Sequence, residues 1–137
     1  MTGKIRVLFV CTANAARSQL AEALLRHTDP VHFEAFSAGI QPGEVDSRTY
    51  GALEHLSIDT SALRSKSLDE FAGERFDYVI TLCDKAAHEC HALPAFGEVL
   101  AWNFEDPPTS DQHDAFRHTL HEIHERIKMF VLVKTKH

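Results

Sequence analysis

The sequence predicts a three-layer α/β/α domain around a four-stranded parallel sheet, and three features carry that expectation. Short β-branched apolar runs alternate with segments of helical spacing, the pattern of strand–helix–strand units. The runs are nearly continuous in apolar residues rather than alternating with polar ones, as in parallel strands covered on both faces. At 137 residues the chain suits one compact domain, residues 1–137, with a core of its own.

Lys4 to Val10 reads as the first buried strand, and Arg17 to Arg26 as a helix with Leu20, Ala21, Leu24 and Leu25 on one face. Val31 to Ser37 reads as a second strand, stopped by Gly39 and Pro42; Ser47 to Leu56 is a second helix with Tyr50, Leu53 and Leu56 inward. Ser67 followed by Glu70 three residues later is a capping-box pattern for a short helix. Tyr78 to Leu82 forms a third strand ending at Cys83, and Gly97 to Trp102 a fourth. After Asp106-Pro107-Pro108, a long helix runs from about Asp111 to Phe130, with Phe116, Leu120, Ile123, Ile127 and Phe130 recurring at helical spacing.

The composition, 44% hydrophobic and 25% charged, is that of a soluble globular protein. No apolar stretch is long enough to span a bilayer, and Met1-Thr2-Gly3-Lys4 leads straight into a strand, so neither membrane nor signal peptide is expected. A formal charge of −6 disfavours nucleic acid as the partner. Three cysteines, an odd number, argue for reduced thiols in the cytoplasm with a catalytic, redox or metal-binding role rather than a disulfide framework.

The chemistry concentrates directly after the first strand. Cys11 and Arg17 enclose five mostly small residues, Thr12, Ala13, Asn14, Ala15 and Ala16, and Ser18 follows at the start of the helix. Small side chains let successive backbone N–H groups curl around a tetrahedral oxyanion, and the positive helix end adds to the attraction. Arg17 supplies a planar fork for two of the oxygens. The same field stabilises a thiolate at Cys11, to which Ser18 can donate a hydrogen bond. In a parallel sheet such a site belongs beyond the carboxyl ends of the strands, where Cys83 is also expected. The loop lacks the glycines and the Gly-Lys-Ser/Thr ending of a nucleotide cradle.

With Val7 to Asn14, Arg17-Ser18-Gln19, Ser37-Ala38-Gly39 and Asp106-Pro107 in these places, the chain resembles the low-molecular-weight protein tyrosine phosphatase family, including its thioredoxin-linked arsenate reductase branch. The resemblance covers nearly the whole chain and implies that family's fold, with Asp106 as general acid. Two departures stand out: Ala13 where many members have Gly, and Pro108 where phosphatases usually carry an aromatic residue after Asp-Pro. The second points away from phosphotyrosine.

Cys83 and Cys90, in Leu82-Cys83-Asp84 and His88-Glu89-Cys90-His91, look like the additional thiols of three-cysteine arsenate reductases. The resemblance implies that Cys11 attacks arsenate, Cys83 attacks Cys11 to expel arsenite, and Cys90 moves the disulfide outward to an external thiol reductant, thioredoxin. No tightly bound cofactor is implied; phosphate or sulfate would mimic the substrate. Were residues 83–90 helical, seven steps of about 1.5 Å would hold the two α-carbons roughly 10 Å apart, beyond disulfide reach, so the segment must unwind.

Two alternatives stand beside this reading. A phosphatase needs only Cys11, whereas a metal-binding module would use Cys83, His88, Cys90 and His91, although their close packing departs from the usual paired-ligand spacing. His118, His121 and His124 read as a solvated helix face. In some relatives Asn14, Glu22, Ser37 and the position of Lys66 surround a monovalent cation; Lys66 either replaces that cation with its own ammonium or is an ordinary surface lysine.

Overall fold

The computed structural model describes residues 4–11, 17–39, 43–45, 47–61, 63–71, 73–82, 95–102 and 115–135. Four parallel strands, β1 (Ile5–Cys11), β2 (Phe33–Gly39), β3 (Arg75–Thr81) and β4 (Ala95–Ala101), lie in the order β2-β1-β3-β4. Helices α1 (Arg17–Thr28), α2 (Ser47–His55) and α3 (Ala115–Thr135) and a 3₁₀ turn, Leu68–Phe71, complete a three-layer α/β fold. Among the described residues no helix is long and apolar enough to cross a membrane.

β1 is central, and its apolar run Val7 to Val10 is buried on both sides. Val7 and Phe9 face a core shared with Leu20, Leu24 and Leu25 of α1, Leu53 of α2, and Leu120, Ile123, Ile127 and Phe130 of α3. Leu8 and Val10 face a second core with Leu68, Phe71, Phe76 and Val79. Phe130 ties α3 to three elements, lying against Phe33, Tyr78 and Trp102 at ring distances of 5.6, 5.3 and 5.6 Å. Such ring pairs add roughly 0.5–1.5 kcal/mol each beyond their burial.

Several boundaries differ from the sequence expectation, each for a local reason. Val31 is exposed in a turn rather than opening β2, because the Asp29 carboxylate accepts the His32 amide and the Asp29 carbonyl accepts that of Phe33. The third strand begins at Arg75, ahead of Tyr78, and its side-chain alternation slips at Asp77: Phe76 and Val79 share one core, Tyr78 the other. There the Asp77 carboxylate accepts the Arg6 amide at 2.8 Å. α3 continues past Phe130 to Thr135, since Val131-Leu132-Val133 contains no residue that stops a helix. The Asp111–Asp114 start and the Phe116 side chain lie outside the described residues.

Two ends are capped as their residues dictate. Ser67 accepts the Asp69 amide on its hydroxyl, and Glu70 pairs with Arg64 through both guanidinium nitrogens at 2.8 and 3.1 Å. That pairing, with help from the Ser67 amide, holds the Glu70 carboxyl below its ordinary range. α2 closes with the Ile58 amide on the Leu53 carbonyl and the Ser57 amide on that of Glu54, which places Ser57 at φ 59°, a position that favours glycine.

Candidate active site at the carboxyl end of the sheet

The strand order puts a topological switch between β1 and β3, the place where open α/β sheets bind ligands. Cys11 is the last residue of β1, is 3% exposed, and pairs in register with Gly39 at the end of β2. On its other side the Leu82 amide donates to the Val10 carbonyl at 2.9 Å. The residues immediately before Cys11 and Cys83 are therefore hydrogen-bonded to each other. The Trp102 amide donates to the Thr81 carbonyl at 2.7 Å, so the chain leaving β4 toward Asp106 departs from this same end.

α1 begins at Arg17, and its first turn is buried throughout, with Arg17 at 7% and Ser18 and Gln19 at 0% exposure. Burying three polar side chains in succession is costly unless each is partnered, which marks the turn as more than a helix start. Of the expected site residues, the structure describes Cys11, Arg17 and Ser18 and brings all three to the β1–α1 junction. Thr12, Ala13, Asn14, Ala15, Ala16, Cys83, Cys90 and Asp106 lie outside the described residues, as do His88 and His91 of the metal alternative.

Beneath this turn lies a buried polar cluster. Glu22, one turn along α1, accepts the Ser37 hydroxyl at 2.7 Å, and the Lys66 ammonium stands 3.4 Å from the same oxygen. Arg26 reaches the other carboxylate oxygen at 3.1 Å. Lys66 is thus no surface lysine: it is 7% exposed and its ammonium also donates to the Arg64 carbonyl at 2.7 Å. Burial lowers its pKa, and the neighbouring Glu22 opposes that shift in part. Lys66 and Arg26 thus meet the two oxygens of the buried Glu22 from within the chain.

The sequence reading gave no role to Gln19, whose buried amide donates to the Arg64 carbonyl at 2.7 Å. A signal existed, since Arg17-Ser18-Gln19 is a polar triplet heading a largely apolar helix. On α3, His118 pairs with Glu122 at 3.5 Å and both His118 and His121 face solvent, while His124 is partly covered. Desolvation, then Lys128, lowers the His124 pKa.

Comparison with known proteins agrees with this geometry. Residues 6–136 match the family described as low molecular weight phosphotyrosine protein phosphatase. The arsenate reductase of Halalkalibacterium halodurans is 34% identical over 129 residues, spanning 90% of this chain and 93% of its own. Among solved structures, an arsenate reductase from Archaeoglobus fulgidus superposes with a TM-score of 0.77 at 34% identity, over 91% of this chain and 98% of the other. A thioredoxin-dependent arsenate reductase from Corynebacterium glutamicum does so with a TM-score of 0.72 at 30% identity, over 94% of this chain and 61% of that one.

Proposed function

The chain belongs to the low molecular weight phosphotyrosine protein phosphatase family, and from that premise we propose that it is an arsenate reductase working through a relay of Cys11, Cys83 and Cys90. The observation that carries the reading is the hydrogen bond from Leu82 to Val10, which brings the chain entering Cys83 alongside the end of the Cys11 strand. Hydrolysis of a phosphate ester has no use for a second thiol there. Reduction of arsenate, which takes two electrons, does.

In this reading the loop from Thr12 to Ala16 and the Arg17 fork bind arsenate, with Ser18 steadying the Cys11 thiolate. The thiolate attacks arsenic, and Asp106 protonates the departing oxygen, which leaves as water. Cys83 then attacks the Cys11 sulfur; the S–S bond forms, and the electron pair of the S–As bond leaves with arsenic as arsenite. Cys90 attacks Cys83, frees Cys11, and leaves a disulfide for a dithiol protein of the thioredoxin class to reduce. That partner is supported by the thioredoxin-dependent relative. No tightly bound cofactor takes part, and a reducing cytoplasm suits three free thiols. Slow hydrolysis of aryl phosphates at Cys11 is consistent with the family.

One arsenate pulse without reductant tests the relay. Wild-type protein should release about one arsenite per chain, the yield of one disulfide, and then stall. Cys11→Ser and Arg17→Ala should release none, and Cys83→Ser should hold the adduct without releasing arsenite. Cys90→Ser should trap a Cys11–Cys83 disulfide, visible by mass mapping. Release from Cys83→Ser at the wild-type level sinks the relay.

A further inference from the structure

Between α2 and β3 the chain passes over the carboxyl end of the sheet as a strap. Leu63 is buried in the core with α1 and α3, whereas Leu68 is buried in the core on the other face, so residues 63–68 cross from one layer to the other. Midway, the Gly39 amide donates to the Lys66 carbonyl at 2.8 Å, and Gly39 bridges to Ser67 in parallel fashion. Gly39 is the register partner of Cys11. The strap thus extends the sheet edge beside the reactive cysteine.

One carbonyl decides where the strap sits relative to α1. The Arg64 oxygen accepts two donors, the Gln19 amide and the Lys66 ammonium, each at 2.7 Å. Lys66 in turn reaches Glu22 on α1, and Glu22 holds Ser37 of β2. Helix, strap and strand are therefore joined by a continuous set of partly to fully buried polar contacts. Gln19 is its member nearest the chemistry, separated from Arg17 by Ser18 alone. A fully buried amide with a short hydrogen bond has little freedom, so the first turn of α1 is pinned from the strap side.

We propose that Gln19 is a positioning residue for the oxyanion site: by donating to the Arg64 carbonyl it fixes the first turn of α1, and through it the direction of the Arg17 fork and of the helix N–H groups toward the anion and the Cys11 sulfur. Its contribution is orientation, which catalytic groups need to within a fraction of an ångström. The proposal rests on the reading of Cys11 and Arg17 as an oxyanion site. When Gln19 is lost, Lys66 still joins the strap to Glu22 of α1 and the Gly39 amide still joins it to β2, so the strap stays in place.

The test uses full-length protein and two readouts that need no turnover: the pH profile of Cys11 alkylation by iodoacetamide, followed on the Cys11 peptide, and its protection by inorganic phosphate. In Gln19→Met, which keeps the shape and removes the donor, phosphate protection should weaken about tenfold, the worth of one misdirected buried hydrogen bond. The alkylation profile should move up by roughly one pH unit, as the field on the thiolate weakens. Gln19→Glu, which turns a carboxylate toward the carbonyl, should do worse on both. Should Gln19→Met not fold, Gln19→Asn, which keeps the amide but shortens its reach, should show the same two changes at reduced size. Both readouts within twofold of wild type in a folded variant overturn the positioning role, whatever the melting temperature does. Wild-type Cys11 with an ordinary thiol profile and no phosphate protection would instead sink the oxyanion reading itself.

Discussion

Arg6, near the amino end of β1, and Glu22, facing the carboxyl end of β2, each draw several segments together, yet their surroundings are opposite. Arg6 is half-covered: it donates to Glu74 and to the Arg75 carbonyl, both at 2.7 Å, lies 3.8 Å from Glu34, and is flanked by the rings of Phe36 and Phe76 at 4.8 Å. Glu22 is 4% exposed at its side chain and holds Ser37 and Lys66 away from water, while the half-exposed Arg26 reaches it from the solvent side. Charges beside solvent lose little on unfolding, while dry ones lose everything if a partner is missing. Buried ion pairs often stabilise no better than apolar residues of the same shape. A fold that keeps one beneath the strand end carrying Cys11 is using it for geometry.

The largest expected effect comes from breaking the dry cluster on one side only. Glu22→Gln leaves the Lys66 ammonium buried without its countercharge and should cost roughly 3–5 kcal/mol in urea unfolding. Adding Lys66→Met removes the stranded charge and should recover most of that loss. If Glu22→Gln costs under about 1 kcal/mol, Lys66 has reached another partner and the contrast between the two ends collapses.

At the amino end the backbone, rather than charge, is the constraint. A β-carbon on Gly97 would stand 2.9 Å from the Asp77 carbonyl oxygen, where the alternation of β3 slips. Gly97→Ala should therefore cost about 1–3 kcal/mol by overpacking, although Gly97 is exposed. An unchanged melting temperature would mean that β4 moves aside freely.

How legible each region was follows from the same contrast. The four strands and the core faces of α1 and α3 were readable because burial on a regular element leaves a periodic trace: Val7 to Val10, then Leu20, Leu24, Ile123, Ile127. The placement of Cys11, Arg17 and Ser18 at the β1–α1 junction was readable because strand, small-residue segment and helix follow one another in sequence. The strap was not, since its hydrogen bonds join Gln19 to Arg64 and Glu22 to Lys66 across more than forty residues, and nothing local distinguishes Arg64 and Lys66 from surface side chains. Lys66 could be suspected from the resemblance alone; its burial became evident only in three dimensions. The slip at Asp77 escaped for a similar reason, as it answers to Arg6 on another strand.

The smallest expected effect is at Arg6 itself. Arg6→Met keeps much of the stem between Phe36 and Phe76 but removes the ion pairs with Glu34 and Glu74 and the bond to the Arg75 carbonyl, leaving the main-chain bond to Asp77 intact. Partly exposed pairs are screened, so the loss should be about 1 kcal/mol at low salt. It should shrink as ionic strength rises from roughly 0.05 to 0.5 M, because the Debye length falls below the spacing of the surrounding charges. Phosphate protection of Cys11 should not change, since this cluster is at the opposite end of β1 from the oxyanion site. A salt-independent loss would assign Arg6 to packing rather than charge, and a loss of phosphate protection would show that the amino end of the sheet also sets the geometry of the site.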